Sequence, residues 1–94
     1  MEAYQTTSEL IKQRRSQMLI HSFLYYVMDS PIVSDGDWQR WADELVALQH
    51  DNPAPIRFYD EVFADWNAST GIHLPQDEWV RAKAYRLLDL KRKE

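Results

Sequence analysis

The sequence predicts an all-α fold, a small domain of four helices. Three observations carry that expectation. Apolar residues recur at i, i+3, i+4 and i+7 along most of the 94 residues, the spacing that gathers one face of a helix. No stretch alternates strongly between apolar and polar residues, as a half-buried strand would. Only two glycines, Gly36 and Gly71, interrupt the chain. Residues 1–94 read as a single domain with no repeat, low-complexity segment or linker.

The first helix is expected to start near Thr6. Thr6-Thr7-Ser8-Glu9 fits a capping box, in which Thr6 covers a free N–H and Glu9 reaches back. Ile20, Phe23, Leu24, Val27 and Met28 then form one apolar stripe, and Asp29-Ser30-Pro31 ends the helix, because the residue before proline avoids α geometry. Ser34 is a good N-cap for the second helix, and Asp35 and Asp37 sit where the helix dipole favours negative charge. Trp38, Trp41, Ala42, Leu45 and Leu48 are its expected buried face, and Asn52-Pro53 marks its end. A third helix is expected from about Pro55 to Ala68, with Tyr59, Val62, Phe63 and Trp66 on one side. Gly71 lies just past it, where a left-handed terminating residue is wanted. Pro75 suits the first position of a fourth helix, with Asp77 and Glu78 in its first turn. Trp79, Val80, Ala84, Leu87 and Leu88 give that helix its apolar face, and Lys91-Arg92-Lys93 complement its C-terminal dipole.

Composition excludes several classes. The chain is 45% hydrophobic, enough to fold rather than stay disordered. A domain of this size buries only about 60–65% of its unfolded surface, and the aromatics (Trp 4, Tyr 5, Phe 3) can supply that area. The absence of cysteine removes disulfide scaffolds, thiol nucleophiles and zinc-finger or iron–sulfur sites. No apolar run approaches the roughly 18 residues of a membrane span, and MEAYQTTSEL has no basic residue, so it does not read as a secretory signal. The expected setting is the cytoplasm, without a membrane partner.

Catalytic signatures are missing. His21, His50 and His73 lack i, i+4 spacing, so no metal site is expected; His21 reads as a partly buried polar residue of the first helix. No Gly-rich phosphate loop and no G-x-S-x-G motif occurs. The expectation is that the chain alone is not an enzyme. Charge is uneven: residues 35–65 hold eight acids against two bases, and residues 77–94 hold four acids against six bases. One reading is ordinary solvated helix faces. The sharper reading is a docking surface for another protein made of Asp37, Asp43, Glu44, Asp51, Asp60, Glu61 and Asp65.

Residues 21–53, HSFLYYVMDSPIVSDGDWQRWADELVALQHDNP, resemble the N-terminal helical subdomain, domain Ia, of bacterial NAD-dependent DNA ligases. Leu24-Tyr25-Tyr26-Val27-Met28-Asp29-Ser30-Pro31 matches the first half of that family's pattern. Asp35, Trp38, Glu44-Leu45, Leu48 and Pro53 keep the register of the second half without a gap. The resemblance implies a helix-turn-helix segment over 21–53. In the family this subdomain closes over the nicotinamide mononucleotide half of NAD during self-adenylation. It therefore implies a nucleotide site of Tyr25, Tyr26, Asp35, Trp38 and Gln39. Tyr25 takes the first aromatic position, Tyr26 one that is Tyr or His, and Asp35 that of the acid before the second helix. Trp38 stands where the family has tyrosine, which keeps an aromatic face and loses the phenolic hydroxyl. Gln39 stands where the family has aspartate, which removes a carboxylate. The adenylated lysine of the family sits in a Lys-x-Asp-Gly motif, and none of Lys12, Lys83, Lys91 or Lys93 lies in one.

Two functions follow, and both stay open at this point. The first is a small non-catalytic helical interaction protein, encoded by a phage and acting in the host cytoplasm on a host or phage protein, as a modulator or inhibitor of a nucleic-acid enzyme. The alternative is an accessory domain that binds NAD or nicotinamide mononucleotide and acts in trans with a nucleotidyltransferase. Tyr25, Tyr26, Trp38 and Trp41 at helical spacing equally suit a packed core. Direct nucleic-acid binding ranks last, since the basic tail is opposed by a net charge of −4.

Overall fold

Helix starts follow local chemistry. In the computed structural model, which describes residues 5–93, α1 (Thr7–Tyr26), α2 (Asp35–Asp51), α3 (Asp60–Phe63) and α4 (Glu78–Arg92) follow in order, and no strand occurs among the described residues. MEAY at the N-terminus and Glu94 lie outside the described residues. The expected capping box is present: Thr6 Oγ1 accepts from the Glu9 N–H at 3.1 Å, and Glu9 accepts from the Thr6 N–H at 3.1 Å. Ser34 Oγ accepts from the Asp37 N–H at 3.0 Å, a cap worth about 1 kcal/mol.

α1 is the central helix and packs against both α2 and α4. That position requires apolar residues on two sides. Ile11, Met18, Leu19, Phe23 and Leu24 are all buried and meet Ala42 and Leu45 of α2 and Val80, Ala84 and Leu88 of α4. The expected single stripe captured only part of this. Phe23 and Leu24 are buried and Ile20 and Met28 pack at the margin, but Val27 caps the helix and is exposed. The helix closes where Asp29 takes a left-handed φ of 50° and the Ser30 N–H bonds the Leu24 carbonyl at 2.8 Å, a conformation that a short polar side chain tolerates.

The segment after α2 departs from expectation. The helix predicted over 55–68 shrinks to the four residues of α3. Asp60 is the reason: its carboxylate accepts from the Ile56 N–H at 3.2 Å and the Arg57 N–H at 2.8 Å, so it offers the backbone a partner other than a helical carbonyl. Arg57, Tyr59 and Ala68 have positive φ values of 64°, 57° and 67°, which no helix accommodates. Phe63, fully buried, anchors the segment to the core.

Two further expectations are corrected here. Gly71 is not left-handed, because no glycine has positive φ; its role is close approach, described below. α4 starts at Glu78 and not at Pro75, because Asp77 is its N-cap and accepts from the Val80 N–H at 3.0 Å. Trp79 belongs to the edge of α4 rather than its buried face. It is 37% exposed and forms an edge-on pair with Phe58 at 5.4 Å between centroids. Lys91 and Arg92 do lie in the last turn of α4.

Candidate functional site

The α1–α2 turn builds a cleft of about 220 Å³. His21 and Tyr25 are one helical turn apart on α1, and Tyr26 follows. Asp35, Trp38 and Gln39 are spaced i, i+3, i+4 at the start of α2, so they share a face. Pro31, Val33 and Ser34 of the connection and Ser69 of a later loop complete the lining. All five residues expected from the sequence, Tyr25, Tyr26, Asp35, Trp38 and Gln39, are thus brought to one cleft. His21 and Ser69 were not anticipated there. The spacing of His21 four residues before Tyr25 was a usable signal for the first; Ser69 is placed by tertiary structure alone.

The tyrosine rings are poorly protected by the core. Tyr25 and Tyr26 are 48% and 42% exposed, and they pack against one another edge-on at 4.8 Å. Solvent-facing tyrosines at the end of a helix give the molecule an aromatic surface open to a ligand. Trp38 is half-buried: its Nε1–H reaches Ser22 Oγ at 3.3 Å, and its ring meets Trp66 edge-on at 6.0 Å. Asp35 is exposed beside the N-terminus of α2.

A loop from outside the hairpin closes the cleft. Trp66 Nε1–H donates to the Thr70 carbonyl at 2.9 Å, and the hydroxyls of Tyr26 and Thr70 are 2.9 Å apart. Gln39 Nε2 donates both to Asp43 Oδ1 at 2.9 Å and to the Ala68 carbonyl at 3.2 Å. Gly71 is seated against α1 so tightly that a Cβ there would stand 2.0 Å from Ser22 Oγ, 2.7 Å from Ser22 Cβ and 3.2 Å from Trp38 Cζ2. Any larger residue would push the loop off the hairpin.

His21 forms the inner wall. It is 9% exposed, its ring lies 5.6 Å from that of Trp41, and its Nδ1 has no hydrogen-bond partner. Burial lowers its pKa from the usual histidine range, because the charged ring loses its hydration. The lining therefore contains one carboxylate, Asp35, and no lysine or arginine. Among the described residues no group of three or more His, Cys, Asp or Glu side chains is arranged to hold a metal ion.

The acidic residues proposed for docking do not form one set. Asp60 and Glu44 are tied internally: Arg15 Nη1 is 2.7 Å from Asp60 Oδ1, and Arg14 Nε is 3.2 Å from Glu44 Oε2. The Arg15 bond holds the Asp60 carboxyl below its ordinary range, helped by the Arg57 and Ile56 N–H groups. Asp37 pairs with Arg40 at 3.2 Å and Asp51 with the His50 ring at 3.3 Å. Asp43 accepts from Gln39, and Glu61 and Asp65 are exposed.

Comparison with known proteins places these features in a family context. The model of the DNA ligase-like, N-terminal NAD+-binding domain matches residues 4–58, wider than the 21–53 stretch that carried the resemblance. A DNA ligase of Stutzerimonas stutzeri is 40% identical over 53 residues, 56% of this chain and 7% of the ligase. One of Azotobacter vinelandii is 41% identical over 49 residues, 52% of this chain and 6% of the ligase. One of Flavobacterium psychrophilum is 32% identical over 56 residues, 60% of this chain and 8% of the ligase. The chain therefore spans 6–8% of the length of these relatives. No solved structure matches. Among the described residues no helix is long and apolar enough to cross a membrane.

Proposed function

The chain belongs to the family of DNA ligase-like, N-terminal NAD+-binding domains, and from that premise we propose that its cleft holds the nicotinamide mononucleotide half of NAD+. One observation carries the reading. The aromatic residues Tyr25, Tyr26 and Trp38 share a cleft with a single carboxylate, Asp35, and with no lysine or arginine. The nicotinamide ring of NAD+ is a flat cation. Aromatic faces attract a flat cation, each such contact contributing about 0.5–2 kcal/mol, and Asp35 adds a favourable charge. The phosphates have no cationic partner in the lining, so the cleft serves the nicotinamide nucleoside end.

In this reading the chain is a nucleotide-holding module. The lysine that accepts AMP lies outside these residues, in the same polypeptide or in a nucleotidyltransferase that the module serves in trans. Titration with NAD+ and with nicotinamide mononucleotide, followed by tryptophan fluorescence, tests it, because Trp38 lines the cleft. Saturable quenching is expected. Asp35→Ala is expected to weaken binding about tenfold or more, equivalent to roughly 1.4 kcal/mol, with unchanged helicity by circular dichroism. No response at millimolar ligand would sink the proposal.

A second reading, docking on another protein through the acidic face, draws its support from the exposed Asp43, Glu61 and Asp65. It has less support from Glu44 and Asp60, whose charges are already met by Arg14 and Arg15. A phage origin and a role as modulator or inhibitor belong with this second reading.

A further inference from the structure

Aromatic rings and cations outside the cleft gather on one flank of α4. Trp79, Lys83 and Arg86 are spaced i, i+4, i+7 and are all exposed, so they form a stripe along the helix. Phe58 packs edge-on against Trp79 at 5.4 Å and joins the stripe to α1, because Lys12 Nζ stands 5.2 Å from the Phe58 ring centre. Lys83 Nζ stands 5.9 Å from the centre of Trp79. One surface thus collects two lysines seated on aromatic rings and a guanidinium one turn further on. Trp79, Lys83 and Arg86 lie beyond the family-matched residues 4–58.

These cations are uncommitted. Among the described residues Lys12, Lys83 and Arg86 make no ion pair. The carboxylates nearest to them in the helices are engaged elsewhere. Glu9, one turn before Lys12, accepts from the Thr6 N–H. Asp77 accepts from the Val80 N–H and the Tyr59 hydroxyl. Asp89, one turn after Arg86, pairs with Lys93 at 3.0 Å. Glu78 falls outside the stripe. The net charge of −4 is a sum over the whole chain. At a screening length of about 8 Å, an approaching polyanion meets the local surface instead.

We infer that this surface binds single-stranded nucleic acid, with a base stacked on Trp79 and phosphates held by Lys12, Lys83 and Arg86. An ammonium meets a phosphate as a point charge, and a guanidinium meets it with two parallel N–H groups. Trp79 is 37% exposed, and an unpaired base offers it a flat partner. An acidic polypeptide would satisfy the cations and leave the indole without such a partner. In a duplex the bases are already stacked on one another.

The test is fluorescence anisotropy of a labelled oligothymidylate of about ten nucleotides, titrated with the full chain. With three phosphate contacts, affinity is expected to fall roughly twentyfold between about 50 and 200 mM salt. Lys83→Glu combined with Arg86→Glu, both at exposed positions, is expected to abolish binding with helicity unchanged by circular dichroism. Trp79→Leu keeps apolar bulk against Phe58 and removes the stacking face. It is expected to weaken binding about fivefold or more while leaving the salt dependence as it was, a split that general structural damage does not produce. Unlabelled polyglutamate of equal charge, or the corresponding duplex, is expected to compete poorly. Competition by either as strong as that of the unlabelled single strand overturns the inference, as does wild-type affinity in the double charge-reversal variant or no binding at the lower salt.

Discussion

The α1–α2 hairpin and the segment from Asn52 to Asp77 are held by different means. The hairpin has two long helices whose starts are capped by Thr6 and Ser34 and whose backbone bonds are satisfied within each helix. The later segment has one four-residue helix and three left-handed residues. Its order comes from side chains of other elements. Arg15 of α1 reaches across to the Phe58 carbonyl and Asp60, both at 2.7 Å, while its Nε donates to Gln49 at 2.8 Å. Gln49 in turn donates to the Phe63 carbonyl at 3.2 Å. The hairpin is specified by neighbours in sequence, and the segment by neighbours in space.

Arg15→Leu should strike this difference hardest. Arg15 is 6% exposed, and loss of its guanidinium leaves Gln49 Oε1 and the Phe58 carbonyl without that donor and strips Asp60 of its counter-charge, leaving it only the Ile56 and Arg57 N–H groups. Because Asp60 is partly exposed, the expected cost lies at the low end of that for breaking a buried pair, about 3 kcal/mol. Urea unfolding measures it. Hydrogen exchange should show the loss of protection concentrated in residues 56–64, with the hairpin least affected. Equal loss in both regions would break the comparison.

Gly71→Ala comes next, because it acts where the two regions touch. The added Cβ meets Ser22 Cβ at 2.7 Å, an atom fixed to the α1 backbone. A cost of about 2 kcal/mol is expected from such overpacking. The same change should weaken nicotinamide mononucleotide binding, since the loop that holds Gln39 would be displaced. Ser34→Ala is smaller, about 1 kcal/mol. It removes one acceptor from the α2 start and leaves the segment untouched, so thermal melting should fall by a few degrees with the 56–64 protection unchanged.

Acid titration sharpens the comparison with the smallest effects. His21 belongs to the hairpin and has a lowered pKa in the folded chain. The unfolded chain takes up its proton first, so the contribution of His21 is complete above about 6.5 and declines as pH falls below that value. Asp60 belongs to the segment and also has a lowered pKa. Its contribution is complete above the ordinary value of 3.8 and is lost as pH falls through the folded value. His21→Phe should flatten the upper slope of stability against pH, and Asp60→Asn the lower one.

The same contrast explains which features were legible in the sequence. The Thr6 and Ser34 caps were readable because every partner lies within three residues. The five cleft residues were readable because a helical turn fixes which side chains share a face, and the two faces meet at a short connection. The stretch over 55–68 was misread as a helix because its apolar spacing is helical. The competing bonds come from Asp60 and from Arg15, the latter 45 residues away from Asp60 in the chain. Gly71 was assigned a left-handed role because it follows a predicted helix. Its constraint is instead the Ser22 side chain, which no local pattern announces.

Asp77 divides its two oxygens between two regions. Oδ1 receives the Val80 N–H at the start of α4, and Oδ2 receives the Tyr59 hydroxyl. Burial and this carboxylate together push the tyrosine pKa up to about 12, so the hydroxyl keeps its proton and the link persists throughout the neutral range. Detaching the Tyr59 turn and fraying the first turn of α4 therefore become one event rather than two. Local opening in this half of the molecule should proceed in a single cooperative unit, with the amide of Val80 reporting on a tyrosine more than twenty residues upstream.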